Sequence, residues 1–247
     1  MTRSMLILDK NTPLFLIKEP GFNAPEGMVI CIDKPLTWTS ADVVRKIKFR
    51  LQRCWQEKKV KVGHAGTLDP LATGLLLVCV GPATKQSEFY QSQPKEYIAR
   101  IQLGATTSSF DLEKEIDALY PWEHITGDML DKVLIQFRGE QMQMPPVYSA
   151  KIISGMRAYE LARQGMELPE LKQALINIYD MEILDFTPPS FSLRISCSKG
   201  TYIRALARDI GIGLESGAHL TSLRRTRSGS FNVNDALTLE KFEEIFN

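Results

Sequence analysis

Gly63-His64-Ala65-Gly66-Thr67-Leu68-Asp69-Pro70-Leu71-Ala72-Thr73-Gly74 is the stretch whose reading organises the whole chain. Its three glycines, one proline and lack of periodicity predict a loop over residues 63–74. The run that follows, residues 75–80 (Leu-Leu-Leu-Val-Cys-Val), is apolar throughout and reads as a buried strand. Glycine permits positive φ and close approach of a ligand to the backbone. Pro70 confines Asp69 to extended geometry. Leu68, Leu71 and Leu75 are expected to bury the flanks of the loop, so that the Asp69 carboxylate stands on a rigid base. Residue types alone equally allow a plain Asx turn at Asp69 and a satisfied loop histidine at His64.

Upstream, residues 28–32 read as a short buried strand ending at Asp33-Lys34-Pro35. Ser40 is expected to cap a helix whose apolar positions are Val43, Val44, Ile47 and Leu51. Downstream, Pro82 suits the first turn of a helix, and Tyr97, Ala99, Ile101 and Leu103 alternate as in a half-buried strand. A helix is predicted over 126–138, capped by Thr126 and stopped by Gly139. Residues 141–146 are expected to be irregular, and 157–164 a short helix ended by Gly165. Two strands over 175–186 and 191–198 flank Pro188-Pro189. After a Lys199-Gly200 loop come a helix over 202–214, strands over 220–227 and 230–233, and a last helix over 239–246. Residues 11–26, with Pro13, Pro20 and Pro25, form an irregular lead-in. Strands with interspersed helices and no regular βαβ rhythm indicate an α+β fold around a mixed or mainly antiparallel sheet.

With 247 residues, 44% of them hydrophobic, the chain can bury a sizeable core as one large domain or two modest ones. A net charge of +1 conceals strong local polarity. Residues 43–61 hold eight basic side chains against Glu57, residues 194–227 hold seven against Asp209 and Glu215, and residues 111–131 hold seven acids against Lys114. Such segregation suits a polyanion held on one face, although solvated helix faces also produce it. Cys31, Cys54, Cys79 and Cys197 form no C-x-x-C pair, so buried free thiols are expected rather than a disulfide framework or a zinc site. The apolar run at residues 5–8 is too short for a signal-peptide core, and no run approaches a membrane span. A cytoplasmic protein with no membrane association is expected.

The string GHAGTLDPLATGLL at residues 63–76 closely resembles the signature of the TruB family of tRNA pseudouridine synthases. Four further segments resemble family motifs in the same order: Ile32-Asp33-Lys34-Pro35; Lys95-Glu96-Tyr97; Pro145-Pro146-Val147-Tyr148-Ser149-Ala150 followed by Arg157-Ala158-Tyr159-Glu160; and Cys197-Ser198-Lys199-Gly200-Thr201-Tyr202-Ile203-Arg204. Gly217-Ala218-His219-Leu220-Thr221-Ser222-Leu223-Arg224-Arg225 completes the set. The resemblance implies a pseudouridine-synthase fold and isomerisation of a T-loop uridine, position 55 of tRNA. The target base must leave its stack before its glycosidic bond can be broken. In this resemblance Asp69 is the catalytic carboxylate, either attacking the sugar or taking a proton from it. His64 fills the space the base vacates, Tyr97 stacks on the flipped base, Arg204 pairs with Asp69, and Tyr202 and Leu223 line the pocket. Lys34, Lys199 and Arg224 are implied RNA contacts. Breaking a C–N bond and making a C–C bond on one ring needs no redox step, so no cofactor and no metal are implied.

Residues 27–234 are thus expected to form the catalytic domain, with about 139–170 as an RNA-gripping insertion. Residues 1–26 are the lead-in and 235–247 a short tail, too short for the PUA domain of many bacterial relatives. Lys151-Ile152 and Met156 depart from the family pattern, which puts an apolar residue and then lysine after Ser-Ala and often a lysine at the position of Met156. The expected partner is the tRNA T-arm, without a guide RNA, bound by a monomer. The rival readings are a tRNA-folding chaperone with secondary or no catalysis and a guide-dependent synthase.

Overall fold

The computed structural model describes residues 5–13, 15, 17, 23–24, 26–146 and 172–247, with the backbone alone of 152–153 and 156–157. The chain divides into two compact units, one formed by Met1–Lys95 with Arg224–Asn247, the other by Glu96–Leu223.

The first unit is built on β1 (Leu6–Leu8), β2 (Met28–Lys34), β3 (Val62–His64) and β4 (Ala72–Val80). β1 runs parallel to β2, whereas β2 and β3 both run antiparallel to β4. Met28 to Ile32 and Leu75 to Val80 are buried without alternation, the pattern of strands covered on both faces. Val29, Cys31, Leu75, Leu77 and Cys79 share one cluster with Ala83, Tyr90 and Val233. Helix α1 (Ser40–Trp55) buries Val43, Ile47 and Leu51, spaced one turn apart. Its N-cap is Thr39, not Ser40: Thr39 and Asp42 form a capping box. The chain continues through a 3₁₀ helix, Gly81–Gln86, with proline in its first turn, into α2 (Ser87–Ser92). The expected loop is shorter than its glycines suggested, because Gly63 and Gly74 both pair within strands. Of the four cysteines, Cys54 is exposed, since it falls on the outer face of α1.

The second unit contains β5 (Lys95–Leu103), β6 (Ala105–Thr107), β7 (Ile116–Leu119), α3 (Gly127–Gln136) and β8 (Gly139–Gln143). Short strands β9 (Ile152–Ile153) and β10 (Met156–Arg157) pair with each other. Then come β11 (Ala174–Thr187), β12 (Ser190–Cys197), α4 (Ile203–Gly213) and the start of β13 (Ala218–Ser228). In this unit the strand order is β13-β5-β12-β11-β8, and β11 runs antiparallel to both neighbours. The expectation that residues 141–146 are irregular fails for its first half. Gln141 to Gln143 extend β8 and pair with β11, because the helix-breaking Pro145 and Pro146 lie just beyond the strand and remove no ladder bond. Of the helix expected over 157–164, Arg157 pairs in β10 instead, and residues 158–164 lie outside the described residues, as do Val147–Ala150 and Lys151.

Back in the first unit, the end of β13 is followed by β14 (Phe231–Asn232) and α5 (Leu239–Ile245). The expected tail packs into the fold: Leu237 exchanges backbone bonds with Cys31 and Asp33 of β2, and Phe242 and Phe246 are buried. These pairings make an α+β protein whose sheet is mixed and mainly antiparallel. No described helix is long and apolar enough to cross a membrane.

Candidate active site

In the first unit, Asp69 sits half-buried on the turn between β3 and β4, and side chains from three separate elements fix the backbone beneath it. From α1, the buried Ser40 hydroxyl accepts the Leu68 N–H at 2.9 Å and donates to the Leu68 carbonyl at 3.1 Å. From the end of β2, the fully buried Lys34 ammonium donates to the carbonyls of Pro35 at 2.9 Å, Trp38 at 2.6 Å and Pro70 at 3.4 Å. From β13, the Arg225 guanidinium donates to Leu75 O at 2.7 Å, Gly66 O at 3.1 Å and Thr67 O at 3.4 Å. Main-chain bonds complete the frame: Thr37 N–H reaches Pro70 O at 2.8 Å, and Ala72 N–H closes the turn on Asp69 O at 3.1 Å. Burial pushes the Lys34 ammonium down to about 8, opposed by the nearby Asp69 carboxylate.

Gly74 shows why only glycine serves at the loop's exit. Its φ is +101°, and a β-carbon there would stand 2.3 Å from the Arg225 carbonyl oxygen. β4 can approach β13 closely enough to receive the arginine only with that side chain missing. Neighbouring Arg224, on the opposite face of the strand, makes a two-pronged pair with Asp33 at 2.6 and 3.0 Å. His64 ends β3 across from Val78.

Among the residues expected to contact RNA, Lys34 is therefore misplaced by the sequence reading. It is buried under the loop, and its role there is to hold carbonyls rather than phosphate. Lys95, of the Lys-x-Tyr element, is buried as well and binds the carbonyls of Tyr90, Gln91 and Gln93 at the end of α2.

The remaining expected residues lie in the second unit. Tyr97 projects from β5 and is 9% exposed. Tyr202 precedes α4, and the buried Gln143 amide holds it at both ends of its backbone, accepting its N–H at 2.8 Å and donating to its carbonyl at 3.1 Å. Arg204 is buried in the first turn of α4, bonded to Ser109 O at 3.1 Å and 3.7 Å from the Asp111 carboxylate. Leu223 is half-buried on β13, and Lys199 is exposed at a turn that Gly200 completes with φ +81°. The sequence reading did not single out Ser40, Arg225, Gln143 or Asp111 for these positions. For Arg225 a signal existed: on a strand, Leu223 and Arg225 share one face and Arg224 the other.

Residues 52–203 match the family model for the TruB family pseudouridylate synthase N-terminal domain, more than half of the chain. The chain belongs to the TruB family. Residues 204–247 match the tRNA pseudouridylate synthase B C-terminal domain, so the family likeness continues to the last helix. A relative from Phocaeicola vulgatus named tRNA pseudouridine synthase B is 55% identical over 222 residues, covering 90% of this chain and 94% of its own. Its namesake from Flavobacterium johnsoniae is 48% identical, with 89% and 96% covered. One from Francisella philomiragia is 44% identical, but there only 70% of the relative is covered. Among solved structures, the crystal structure of a Cbf5-Nop10-Gar1 complex superposes with a TM-score of 0.69 at 29% identity over 94% of this chain. An H/ACA RNP bound to a substrate RNA containing 2'-deoxyuridine gives 0.65 at 27% identity over 95%. The chain spans 56% of the length of each of those two proteins. The fold is accordingly that of the pseudouridine synthases.

Proposed function

We propose that this TruB-family chain isomerises a tRNA uridine to pseudouridine at position 55 of the T-loop, with Asp69 as its catalytic carboxylate. The observation that carries this reading is the loop itself. A half-exposed carboxylate stands on a backbone that Ser40, Lys34 and Arg225 fix from below, at a cost in buried polar groups that packing alone does not require. A fixed carboxylate loses little freedom when the sugar of a flipped nucleotide reaches it.

The reaction balances within the nucleotide. The bond from base nitrogen to sugar carbon breaks, the base turns, and a bond forms from its ring carbon to the same sugar carbon; the ring carbon gives up a proton and the nitrogen gains one. Asp69 starts this sequence. His64 fills the vacated stack, Tyr97 stacks on the flipped uracil, and Tyr202 and Leu223 line its pocket. Arg204 pairs with Asp69 during catalysis and keeps it ionised. Lys199 and Arg224 contact phosphate, and Lys34 serves the loop instead. Residues 27–234 form the catalytic domain, with about 139–170 gripping the RNA. The chain works as a cytoplasmic monomer on the T-arm without a guide RNA.

The test is an unmodified tRNA transcript incubated with the purified protein alone, followed by mapping of pseudouridine along the RNA. Conversion of one T-loop uridine supports the proposal. Tight binding with no conversion would instead make the protein a tRNA-folding chaperone.

A further inference from the structure

Beside the Asp69 loop, the first unit carries a groove of about 540 Å³ that none of the roles above uses, lined by Thr37, Trp38, Asp42, Arg45, Lys46 and Phe49. Resting on the tRNA reading just given, we infer that this groove is a subsite for a nucleotide of the substrate strand next to the target uridine.

Its walls match the two halves of a nucleotide. Phe49 lies on the outer face of α1, where the burial of Val43, Ile47 and Leu51 calls for polar residues, and the residue is 66% exposed. Trp38 supplies a second ring, with the Lys46 ammonium 5.8 Å from its centre. A base is flat and apolar on both faces, and aromatic side chains bind it without reading its sequence. The phosphate is matched by Arg45, whose side chain is 75% exposed. Asp42 holds one of its guanidinium nitrogens at 3.0 Å, which aims the arginine and leaves its other donors facing solvent. Asp42 itself is engaged as the capping-box partner of Thr39, and Glu243 pairs with Lys46 at 2.9 Å. Beyond the groove the same helix continues with Lys48, Arg50 and Arg53, so the surrounding field favours a polyanion.

Location ties the groove to the reaction. The Thr37 N–H bonds the Pro70 carbonyl at 2.8 Å, and Lys34 joins the carbonyls of Trp38 and Pro70. The groove therefore begins at residues bonded to the position next to Asp69, and a strand whose uridine sits at that carboxylate passes it.

Phe49→Ala, Phe49→Tyr and Arg45→Ala separate this inference from the parent reading. All three change exposed side chains, and circular dichroism confirms their folding. With unmodified tRNA, Phe49→Ala should raise KM by about fivefold or more, the low end of what losing one stacked base costs, with kcat within about twofold. Phe49→Tyr should restore KM. Arg45→Ala should flatten the dependence of log Kd on log salt by about 0.7, one phosphate contact on a single strand. Parent-like KM in Phe49→Ala, from a parent that converts tRNA, overturns the groove alone. A parent that converts no tRNA overturns the proposed function and this subsite with it.

Discussion

Arg225→Met removes the guanidinium that joins β13 to the Asp69 loop while leaving an unbranched, uncharged side chain. Two of its three acceptors, the carbonyls of Leu75 at 2.7 Å and Gly66 at 3.1 Å, are buried with it. Each buried carbonyl left without a donor costs about 1–3 kcal/mol, so the two together lose about 2–6 kcal/mol. Methionine also relieves the cost of burying a cation, which places the net loss in the lower half of that range, about 3 kcal/mol. For a chain of this size that lowers Tm by about 6–12 °C. Arg225 is only 2% exposed, so it has no surface to offer RNA. The variant should therefore lose kcat through a loosened loop and keep its Kd for tRNA. Arg225→Lys keeps the charge but not the fork, and should fall between. Thermal melts followed by circular dichroism, with single-turnover conversion of a tRNA transcript, measure both effects. A melt within about 2 °C of the parent, together with an unchanged kcat, would show that the clamp neither stabilises nor positions anything.

Two further outcomes follow from the same loop. Ser40→Ala leaves the Leu68 N–H and carbonyl without their shared partner; it should lower stability by about 1–3 kcal/mol and speed hydrogen exchange at the Leu68 amide, and exchange at the parent rate would refute the clamp. The Lys34 ammonium, pushed down by burial from 10.5 to about 8, gives up its proton earlier in the folded chain than in the unfolded one. Between those values the unfolded chain binds more protons, so this group makes stability rise with pH there. The stability difference between parent and Lys34→Met, measured by denaturant unfolding, should shift in the parent's favour from pH 8 to pH 10; a constant difference would contradict the depressed value.

The elements of this fold were legible wherever burial is written as a local pattern. The unbroken apolar runs of β2 and β4, the alternation of β5 and the one-turn spacing in α1 all name their own structure. Errors came where two neighbours compete or a partner is distant. Thr39 and Ser40 are both good caps, and the capping box with Asp42 decides for Thr39, which frees Ser40 to hold Leu68. The three residues of β1 are too few to show a period, and pairing with β2 creates the strand. Asp69 and its motif were readable because the residues are contiguous. Arg225 reaches a loop more than 150 positions away in sequence, and Asp111 meets Arg204 across 93 positions, numbered 111 and 204. Strand alternation sets Arg225 on the face opposite Arg224, but nothing local names the partner of either Arg225 or Arg204. The resemblance implied that Lys34 contacts RNA, whereas it is buried, and only the three carbonyls gathered around it make that burial tolerable.

The most direct test of the central claim is the Asp69→Asn variant, assayed for pseudouridine in an unmodified tRNA transcript beside the parent. The substitution keeps the side chain's size at a half-buried position and removes only its charge and basicity. The parent should convert one T-loop uridine, and Asp69→Asn should bind the transcript with the parent's affinity and convert none of it. Conversion by Asp69→Asn at the parent's rate would contradict the claim that this carboxylate carries the chemistry.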